Sequence, residues 1–286
     1  MEKRLKIGFI GQGFIGKNYA DDFEERGYQI VRYDIESYKD NKNKIKECDI
    51  TLIAVPTPTT PNGFDSSIID NVLSLIGDNK IAVIKSTIKL GETKKLQKKH
   101  TSIIIMHSPE FLTEKTAAQD ARKPDRNIVG ITDINNKELY KKAELVMSTL
   151  PNSPYNLITQ AENAELIKYG GNCWFYIKVV FMNMFYDLIK TNKKLDFEII
   201  KEGLAADPRI GSTHLDVSHQ GGRGAGGHCF IKDFETFIEM LKENDLESSK
   251  ETCEAIRNIN LKYLKESGKD LNLIRGVYGD QNINFI

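Results

Sequence analysis

The chain is poor in the features that mark membrane, secreted and nucleic-acid-binding proteins. Its 286 residues include only four cysteines, and its 40 basic side chains are balanced by 40 acidic ones. No apolar run approaches the roughly 20 residues that cross a bilayer, and zero net charge argues against a dedicated nucleic-acid binder. Few cysteines, with no signal peptide ahead of them, favour a reducing cytoplasm over a disulfide framework. The histidines and cysteines match no strong zinc spacing, so no metal is expected.

A glycine-rich turn, Gly11-Gln12-Gly13-Phe14-Ile15-Gly16, lies between a predicted strand at residues 5–10 and a predicted helix at residues 17–26. Gly11 permits the tight turn, Gly13 lets the backbone approach a pyrophosphate, and Gly16 lets helix and strand pack closely. A second predicted strand ends before Asp34, whose carboxylate can accept both ribose hydroxyls of an adenosine. Because Asp34 would repel the phosphate of NADP, the sequence predicts NAD as the cofactor.

Three further apolar runs, at residues 50–55, 81–84 and 103–106, predict buried parallel strands. The fold class is therefore α/β, with an N-terminal doubly wound (Rossmann) parallel sheet whose ligands bind beyond the carboxyl ends of the strands. Thr87 and Glu110 follow two of these runs and become candidate site residues. Capping of a turn is the alternative role for either side chain taken singly.

A long helix is predicted from Ala161 to about Thr191, after a proline-containing connector, and it opens an all-α central domain. Its second half is apolar nearly all round, which indicates burial at a subunit interface as well as in its own core. Lys168 and Asn172 stand four residues apart on another face; they can serve one cleft or simply be solvated surface. The apolar residues predicted to form a core stripe are Leu166, Cys173, Trp174, Ile177, Val180, Phe181, Met184, Phe185 and Leu188.

The segment Gly226-Gly227-His228-Cys229-Phe230-Ile231-Lys232-Asp233 places one cysteine in a glycine-rich turn beside a lysine and a carboxylate. Backbone N–H groups and cations lower the pKa of a thiol, and the thiolate attacks carbonyl carbons. Cys229 is therefore a candidate nucleophile. The other cysteines are predicted to be small buried hydrophobic residues: Cys48, Cys173 and Cys253.

Taken in order, these motifs resemble the nucleotide-sugar dehydrogenases of the UDP-glucose/GDP-mannose dehydrogenase family, with the UDP-glucose 6-dehydrogenases as the nearest type. Eight ordered matches extend from residue 5 to about residue 240. They are the glycine turn and the segments at residues 55–59, 85–87, 108–112, 124–126, 164–172, 207–211 and 226–233.

The resemblance implies a four-electron oxidation of the C6 primary alcohol of a nucleotide sugar, most simply UDP-glucose to UDP-glucuronate. NAD takes a hydride to give an aldehyde, the cysteine attacks it, and a second NAD oxidises the thiohemiacetal to a thioester that water releases as the acid. By similarity, Cys229 is the nucleophile, Lys168 stabilises the oxyanion and Asn172 hydrogen-bonds it. Asp233 assists proton transfer, and Glu110 and Thr87 belong to the same water network.

The resemblance also implies binding roles and an assembly. We expect a homodimer, in which Arg209 reaches the neighbouring subunit's site. The expected cofactor-binding residues are Gly11, Gly13, Phe14, Ile15, Gly16, Asp34, Pro56, Thr57, Thr87 and Lys232. The expected substrate-binding residues are Glu110, Phe111, Leu112, Lys168, Asn172, Arg209 and Gly226.

The chain departs from the family pattern in four places. Ile231 stands where proline or another residue often precedes the Lys-Asp pair. His228 replaces the serine common before the cysteine and resembles the Gly-His-Cys of relatives that oxidise N-acetylated sugars. The loop from Arg209 to Cys229 is longer than usual. We expect an NAD-binding domain at residues 1–155, a helical central domain with the cysteine loop at 156–257, and a short tail at 258–286 in place of the usual C-terminal nucleotide-binding domain.

Several interpretations stay open at this point. The chain is a natural minimal form, a fragment, or one half of a split enzyme whose separate partner supplies the missing domain. An NAD-dependent 3-hydroxyacid dehydrogenase has the same architecture and also uses a helix lysine with an asparagine four residues on, but it performs one oxidation and needs no cysteine. A non-catalytic dimer that binds NAD has no need for Lys168, Asn172, Cys229 and Asp233 together.

Overall fold

The computed structural model describes residues 5–280 and divides them into two compact units. The first unit comprises the described residues up to 57 and residues 65–168, and the second comprises residues 58–64 and those from 169 onward. The strands, in chain order, are β1 (Lys6–Ile10), β2 (Gln29–Tyr33), β3 (Ile50–Ile53), β4 (Thr59–Thr60), β5 (Gly63–Phe64), β6 (Ile81–Ile84), β7 (Ile104–His107), β8 (Arg126–Ile131), β9 (Tyr155–Gln160), β10 (Ser218–His219) and β11 (Gly222–Arg223).

Helices cover most of the remaining chain. A 3-10 helix spans Lys39–Glu47. The α-helices are α1 (Phe14–Glu25), α2 (Ser67–Leu73), α3 (Glu92–Lys99), α4 (Ala117–Arg122), α5 (Lys137–Thr149), α6 (Ala161–Lys190), α7 (Phe197–Ala205), α8 (Gly227–Glu243), α9 (Glu247–Glu266) and α10 (Leu271–Tyr278). Within residues 5–280, none of them is long and apolar enough to span a membrane.

The first unit is built on a seven-stranded sheet in the order β2-β1-β3-β6-β7-β8-β9. The strands from β2 to β7 pair in parallel, β8 runs antiparallel to β7, and β9 runs parallel to β8. The chain leaves β1 for β2 on one side and places β3 on the other, so the strand order reverses beside β1. Ligands of doubly wound sheets bind at such a reversal, outside the carboxyl ends of the strands. The predicted fold class is confirmed.

The central strands are buried on both faces because helices cover both sides of a parallel sheet. Every residue of β3 and β6 is buried, which explains why these strands are mostly apolar in the sequence, with Thr51 of β3 the one polar residue in them. Phe9 of β1 meets Phe23 of α1 edge to face, with ring centroids 5.3 Å apart. The predicted strands are confirmed to within a few residues at their ends.

The second unit is mainly helical. The hairpin of β4 and β5 pairs antiparallel and contacts α8, where the hydroxyl oxygens of Thr59 and Thr236 lie 2.7 Å apart. Tyr176 of α6 stacks on Phe234 of α8 with ring centroids 3.9 Å apart. The long helix predicted from Ala161 is confirmed.

The predicted core stripe of α6 is partly wrong. Cys173 and Val180 are buried, but Trp174 is 63% exposed, Phe181 is 56% exposed and Leu188 is 63% exposed. Leu166 and Met184 are also exposed. The buried face instead follows the positions 169, 173, 176, 180 and 183. The prediction assigned residues from two faces of α6 to one buried stripe, because both faces of the helix are apolar.

The close packing of β1 against α1 yields a stability prediction. A Cβ atom at Gly16 would lie 1.9 Å from the carbonyl oxygen of Gly11, whereas one at Gly13 would meet nothing within 4 Å. We expect Gly16→Ala to lower the free energy of unfolding by about 1–3 kcal/mol, since the backbone must move. Gly13→Ala is the matched control and should not lower it. Urea unfolding followed by circular dichroism tests this, and equal losses for both variants would contradict it.

Candidate active site

The glycine turn of the first unit has the geometry of an anion site. Gly11 adopts φ +88°, and a Cβ atom there would lie 2.2 Å from the carbonyl oxygen of Ala54. Gly13 is the N-cap of α1. Because glycine has no side chain, it cannot accept hydrogen bonds from the first N–H groups of the helix. The space beside Gly13 is open. An uncapped helix N-terminus with an open approach suits the pyrophosphate of a dinucleotide.

Asp34 lies after β2, where an adenosine ribose is expected. One carboxylate oxygen accepts the Gln12 N–H at 2.7 Å and the other accepts the Glu36 N–H at 2.9 Å. These two bonds fix the carboxylate and leave lone pairs for ribose hydroxyls. A cavity of about 800 Å³ nearby is lined in part by Gln12, Arg32 and Tyr38, and Arg32 is ion-paired with Asp21. The residues present therefore fit NAD.

The polar segments after β3 and β6 are joined to each other. The Thr57 hydroxyl donates to the carbonyl of Thr87 at 2.8 Å, and both residues are buried. Pro56 is exposed beside them. In the glycine turn, Phe14 is 43% exposed, while Ile15 packs against the core of the unit. The topology thus brings the predicted residues after two adjacent strands together.

Glu110 and Lys168 form a buried ion pair in the first unit. The Lys168 ammonium lies 2.9 Å from one Glu110 oxygen, and the two side chains are 7% and 6% exposed. The other Glu110 oxygen accepts the Leu112 N–H at 2.7 Å. The Phe111 ring lies under the Arg126 guanidinium, 3.8 Å from ring centroid to Cζ. A buried pair of this kind holds both charged groups in place because neither is stable there alone.

Lys85 is a functional candidate that sequence reasoning left out, although it opens the Lys85-Ser86-Thr87 motif. Its side chain is buried and donates to the Ser108 hydroxyl at 3.2 Å. Burial lowers the pKa of Lys85 to about 7, the Glu110 carboxylate opposes this, and the Lys168 ammonium adds to it. Two lysines therefore share the field of one glutamate. A lysine directly after a buried strand was the signal available in the sequence.

Two further buried groups surround this cluster. The Tyr19 ring lies 4.5 Å from the Lys85 ammonium, and burial, then the Glu110 charge, raises the pKa of Tyr19. The Nδ1 atom of His107 pairs with the carbonyl of Ile84 at 3.1 Å, and its Nε2 atom is buried without a hydrogen-bond partner. Burial lowers the pKa of His107 to about 3, so this imidazole is neutral.

The second unit holds Asp233 between two donors. The Asn172 side-chain amide donates to one Asp233 oxygen at 2.6 Å, and the Lys232 ammonium donates to the other. Asp233 is 1% exposed. A buried carboxylate needs such partners, since an unpaired charge is expensive to bury. Within the second unit, the fold brings together three of the predicted residues.

Cys229 lies in the first turn of α8 and is exposed. The positive end of a helix dipole and nearby backbone N–H groups favour a thiolate at such a position. The other cysteines are buried, as predicted, and burial raises the pKa of Cys48 to about 11 and that of Cys173 further. Exposure and helix position thus separate Cys229 from the rest.

The remaining predicted residues occupy the surface of the second unit and the start of α8. The side chain of Arg209 is 88% exposed and ion-paired with Asp207. Gly226 is the N-cap of α8. A Cβ atom there would lie 2.1 Å from an oxygen of Asp270, so only glycine fits without a shift.

Residues 36–145 match the NAD binding domain of the UDP-glucose/GDP-mannose dehydrogenase family, and residues 162–262 match its central domain. A UDP-glucose 6-dehydrogenase of Rickettsia bellii is 29% identical over 72% of this chain and 48% of its own length. An uncharacterized protein of Methanocaldococcus jannaschii is 30% identical over 94% of this chain and 34% of its own. The chain thus spans half or less of these two relatives.

Among solved structures, a UDP-glucose dehydrogenase from Pyrobaculum islandicum has a similar fold, with a TM-score of 0.76 at 24% identity. The similarity covers 92% of this chain and 71% of that one.

The burial of Lys85 makes stability depend on pH. The folded pKa of about 7 lies below the roughly 10.4 of an exposed lysine, so between these values the unfolded chain binds more protons. The free energy of unfolding should therefore rise from pH 7 to pH 9.5, by up to about 3 kcal/mol. Well below pH 7, Lys85 is protonated in both the folded and the unfolded chain, so it no longer makes the free energy of unfolding depend on pH.

Lys85→Met should remove this rise, whereas Lys98→Met, at an exposed lysine of α3, should retain it. Chemical unfolding at pH 7, 8 and 9.5 measures the slopes. A Lys85→Met protein with the slope of the unsubstituted protein would contradict the assignment.

Proposed function

Because the chain belongs to the UDP-glucose/GDP-mannose dehydrogenase family, we propose that it oxidises the C6 primary alcohol of a nucleotide sugar to a carboxylate with NAD, and that UDP-glucose is its substrate. The observation that carries the proposal is Cys229, exposed in the first turn of α8 on the helix that also bears the buried Asp233. A dehydrogenase that stops at the carbonyl level needs no nucleophilic thiol.

In the proposed reaction, NAD held by the glycine turn and Asp34 would supply the oxidising power, with one hydride acceptor for each of the two oxidations at the same carbon. The Lys168 ammonium stabilises the negative charge that develops on the substrate oxygen as its proton leaves. Glu110, 2.9 Å from that ammonium, holds it in place and accepts protons through water. Thr87 contributes its hydroxyl to the same water network.

The Cys229 thiolate forms a C–S bond with the aldehyde carbon, and the carbonyl electron pair moves to oxygen. Asn172 donates a hydrogen bond to that oxygen, with its amide oriented by Asp233. Loss of hydride leaves a thioester. Water then adds to the thioester carbon, the C–S bond breaks, and the acid and the thiolate separate. Asp233 arranges the water and accepts its proton.

Substrate contacts are proposed from the same resemblance. Phe111 and Leu112, which follow Glu110, contact the sugar nucleotide together with Gly226. Arg209 is the residue proposed to serve a neighbouring subunit, and its exposed side chain supports this role. His228, beside Cys229, is the residue to examine if a sugar other than glucose is preferred.

We also propose that the chain forms a homodimer through α6. Its exposed apolar stripe, defined as Trp174, Phe181, Met184 and Leu188, lies at helical spacing, and water contact with such a stripe is unfavourable. The stripe contains the rings of Trp174 and Phe181, and Phe181 stacks on a third ring, that of Phe185, with ring centroids 5.9 Å apart. Burial against a second copy removes this surface from water.

Replacement of the nucleophile tests the reaction. We expect the unsubstituted protein to form two NADH for each UDP-glucose consumed. Cys229→Ser should form no UDP-glucuronate, because a serine hydroxyl does not give the thioester, while it retains NAD binding. NADH absorbance and quantified sugar acid are the measurements.

Cys253→Ala, at a buried cysteine of α9, is the control and should keep full stoichiometry. Unchanged acid formation by Cys229→Ser would overturn the thiol mechanism. A stoichiometry of one NADH in the unsubstituted protein would favour the single-step 3-hydroxyacid type of dehydrogenase. A panel of UDP- and GDP-sugars identifies the substrate, and no reduction with any of them contradicts the proposal for the chain acting alone.

The dimer prediction uses the only tryptophan in the sequence, Trp174. Phe181→Asp should yield a monomer by light scattering, because it places a charge in the apolar stripe. The Trp174 emission should then move to longer wavelength as the indole meets water. Leu145→Asp, at an exposed apolar residue of α5, should leave both readings unchanged. A monomeric unsubstituted protein would contradict the proposal.

A further inference from the structure

The segment Gly224–Gly227, which leads into the Cys229 turn, is held by side chains from beyond residue 258. Asn260 accepts the Ala225 N–H at 2.7 Å and donates to the Ala225 carbonyl at 2.9 Å. The Lys269 ammonium donates to the Gly224 carbonyl at 3.1 Å. Asp270 accepts the Gly227 N–H at 2.7 Å. We call Asn260, Lys269 and Asp270 the clamp.

The clamp is built into the interior of the second unit. Asn260 is 1% exposed and Lys269 is 7% exposed. A Cβ atom at Gly226 would meet Asp270 and Lys269 at 2.1 Å and 2.6 Å, so the segment lies directly against the clamp. The backbone bonds made by Asn260 and Lys269 are therefore shielded from water, whereas the Asp270 bond is part-buried. Loss of a buried bond leaves a polar group without its partner.

Asp270 differs from Asn260 and Lys269 because it places a negative charge at the N-terminus of α8. Gly226 caps this helix without a side chain, and the Asp270 carboxylate accepts the first N–H of the helix, that of Gly227, from 43 residues further along the chain. A carboxylate is favourable at a helix N-terminus. The same negative charge opposes a second anion in that turn, and Cys229 is two residues after Gly227.

We propose that Asp270 is a positioning residue for Cys229, which fixes the first turn of α8 through the Gly227 N–H and restrains ionisation of the thiol by its charge. The charged and titratable groups around this turn are His228, Lys232 and Asp233 on α8 itself, Lys269 and Asp270 from the clamp, and His214, whose ring centroid lies 5.8 Å from that of Phe230. Because Lys232 and Asp233 pair with each other, Asp270 is the remaining carboxylate of this set, and the neighbouring Lys269 ammonium, which donates to the Gly224 carbonyl, offsets part of its field. The proposal rests on the role given to Cys229 above.

Two variants of Asp270 separate the effect of its hydrogen bond to the Gly227 N–H from the effect of its charge. Asp270→Asn keeps a side-chain acceptor for the Gly227 N–H and removes the charge. Asp270→Gly removes both, and glycine tolerates the φ of +56° found there. Asp245 has the same φ of +56° at the far end of α8, so Asp245→Asn is the matched control. Its distance from the first turn, about 1.5 Å for each helical residue, places it beyond a screening length of about 10 Å.

The first measurement is the rate of Cys229 alkylation by iodoacetamide between pH 5.5 and 9.5, followed by peptide mass spectrometry without NAD or sugar nucleotide. In Asp270→Asn the midpoint of the pH profile should fall, and the rate at pH 7 should rise about two- to fivefold. Asp245→Asn should match the unsubstituted protein. An unchanged midpoint in Asp270→Asn would overturn the electrostatic role.

The second measurement is amide hydrogen exchange in the peptide that contains residues 225–230. Exchange should be faster in Asp270→Gly and near the original rate in Asp270→Asn, because the asparagine keeps the hydrogen bond. Equal protection in all variants would overturn the positioning role. Both readings are independent of turnover, so a protein that oxidises no sugar nucleotide still answers the question. If Asp270→Gly does not fold, the alkylation profile of Asp270→Asn decides.

Discussion

The buried ion pair between Glu110 and Lys168 constrains the part of the first unit that carries the candidate site residues. It joins the loop after β7 to α6, residues 58 apart in sequence, and the second Glu110 oxygen ties the same loop to the Leu112 N–H. Separating such a pair leaves a buried charge uncompensated, at a cost of about 3–5 kcal/mol. The same two charges act on Lys85: burial, the largest effect, lowers the pKa of Lys85 to about 7, the Glu110 carboxylate raises it and the Lys168 ammonium lowers it. The pair therefore fixes the geometry of the loop and influences the protonation of its neighbour.

Much of the first unit was predictable because its signals are local. The glycines at 11 and 16 are required by carbonyl oxygens within a few ångströms, and β6 is a run of four apolar residues bounded by polar ones. The residues after adjacent parallel strands must meet at one edge of the sheet, which located Thr87 and Glu110. The start of α6 was equally clear, since helical periodicity follows a proline-containing connector. In each case the residues that determine the local structure lie close together in the sequence.

The remaining features depend on contacts between distant residues. Which face of α6 is buried was not predictable, because both faces are apolar and the choice depends on contacts with distant residues, such as the stacking of Tyr176 on Phe234. The importance of Lys85 depends on desolvation by the packed unit. The bonds of Asn260 to Ala225 and of Asp270 to Gly227 join residues 35 and 43 positions apart, and neither pair has a spacing signature. Sequence pattern identified Cys229 but gave no view of what holds its turn.

The hairpin at residues 58–64 has a consequence for how the protein is made. Its partners on α8 lie far along the chain, with Thr59 and Lys232 separated by 173 residues. At a translation rate of about 5–20 residues per second, the hairpin emerges from the ribosome roughly 10–35 seconds before the helix it contacts. Most of the first unit is therefore synthesised while the hairpin still lacks its contacts with α8. The helix that bears Cys229 can thus pack against the hairpin only after the whole of the first unit has been synthesised.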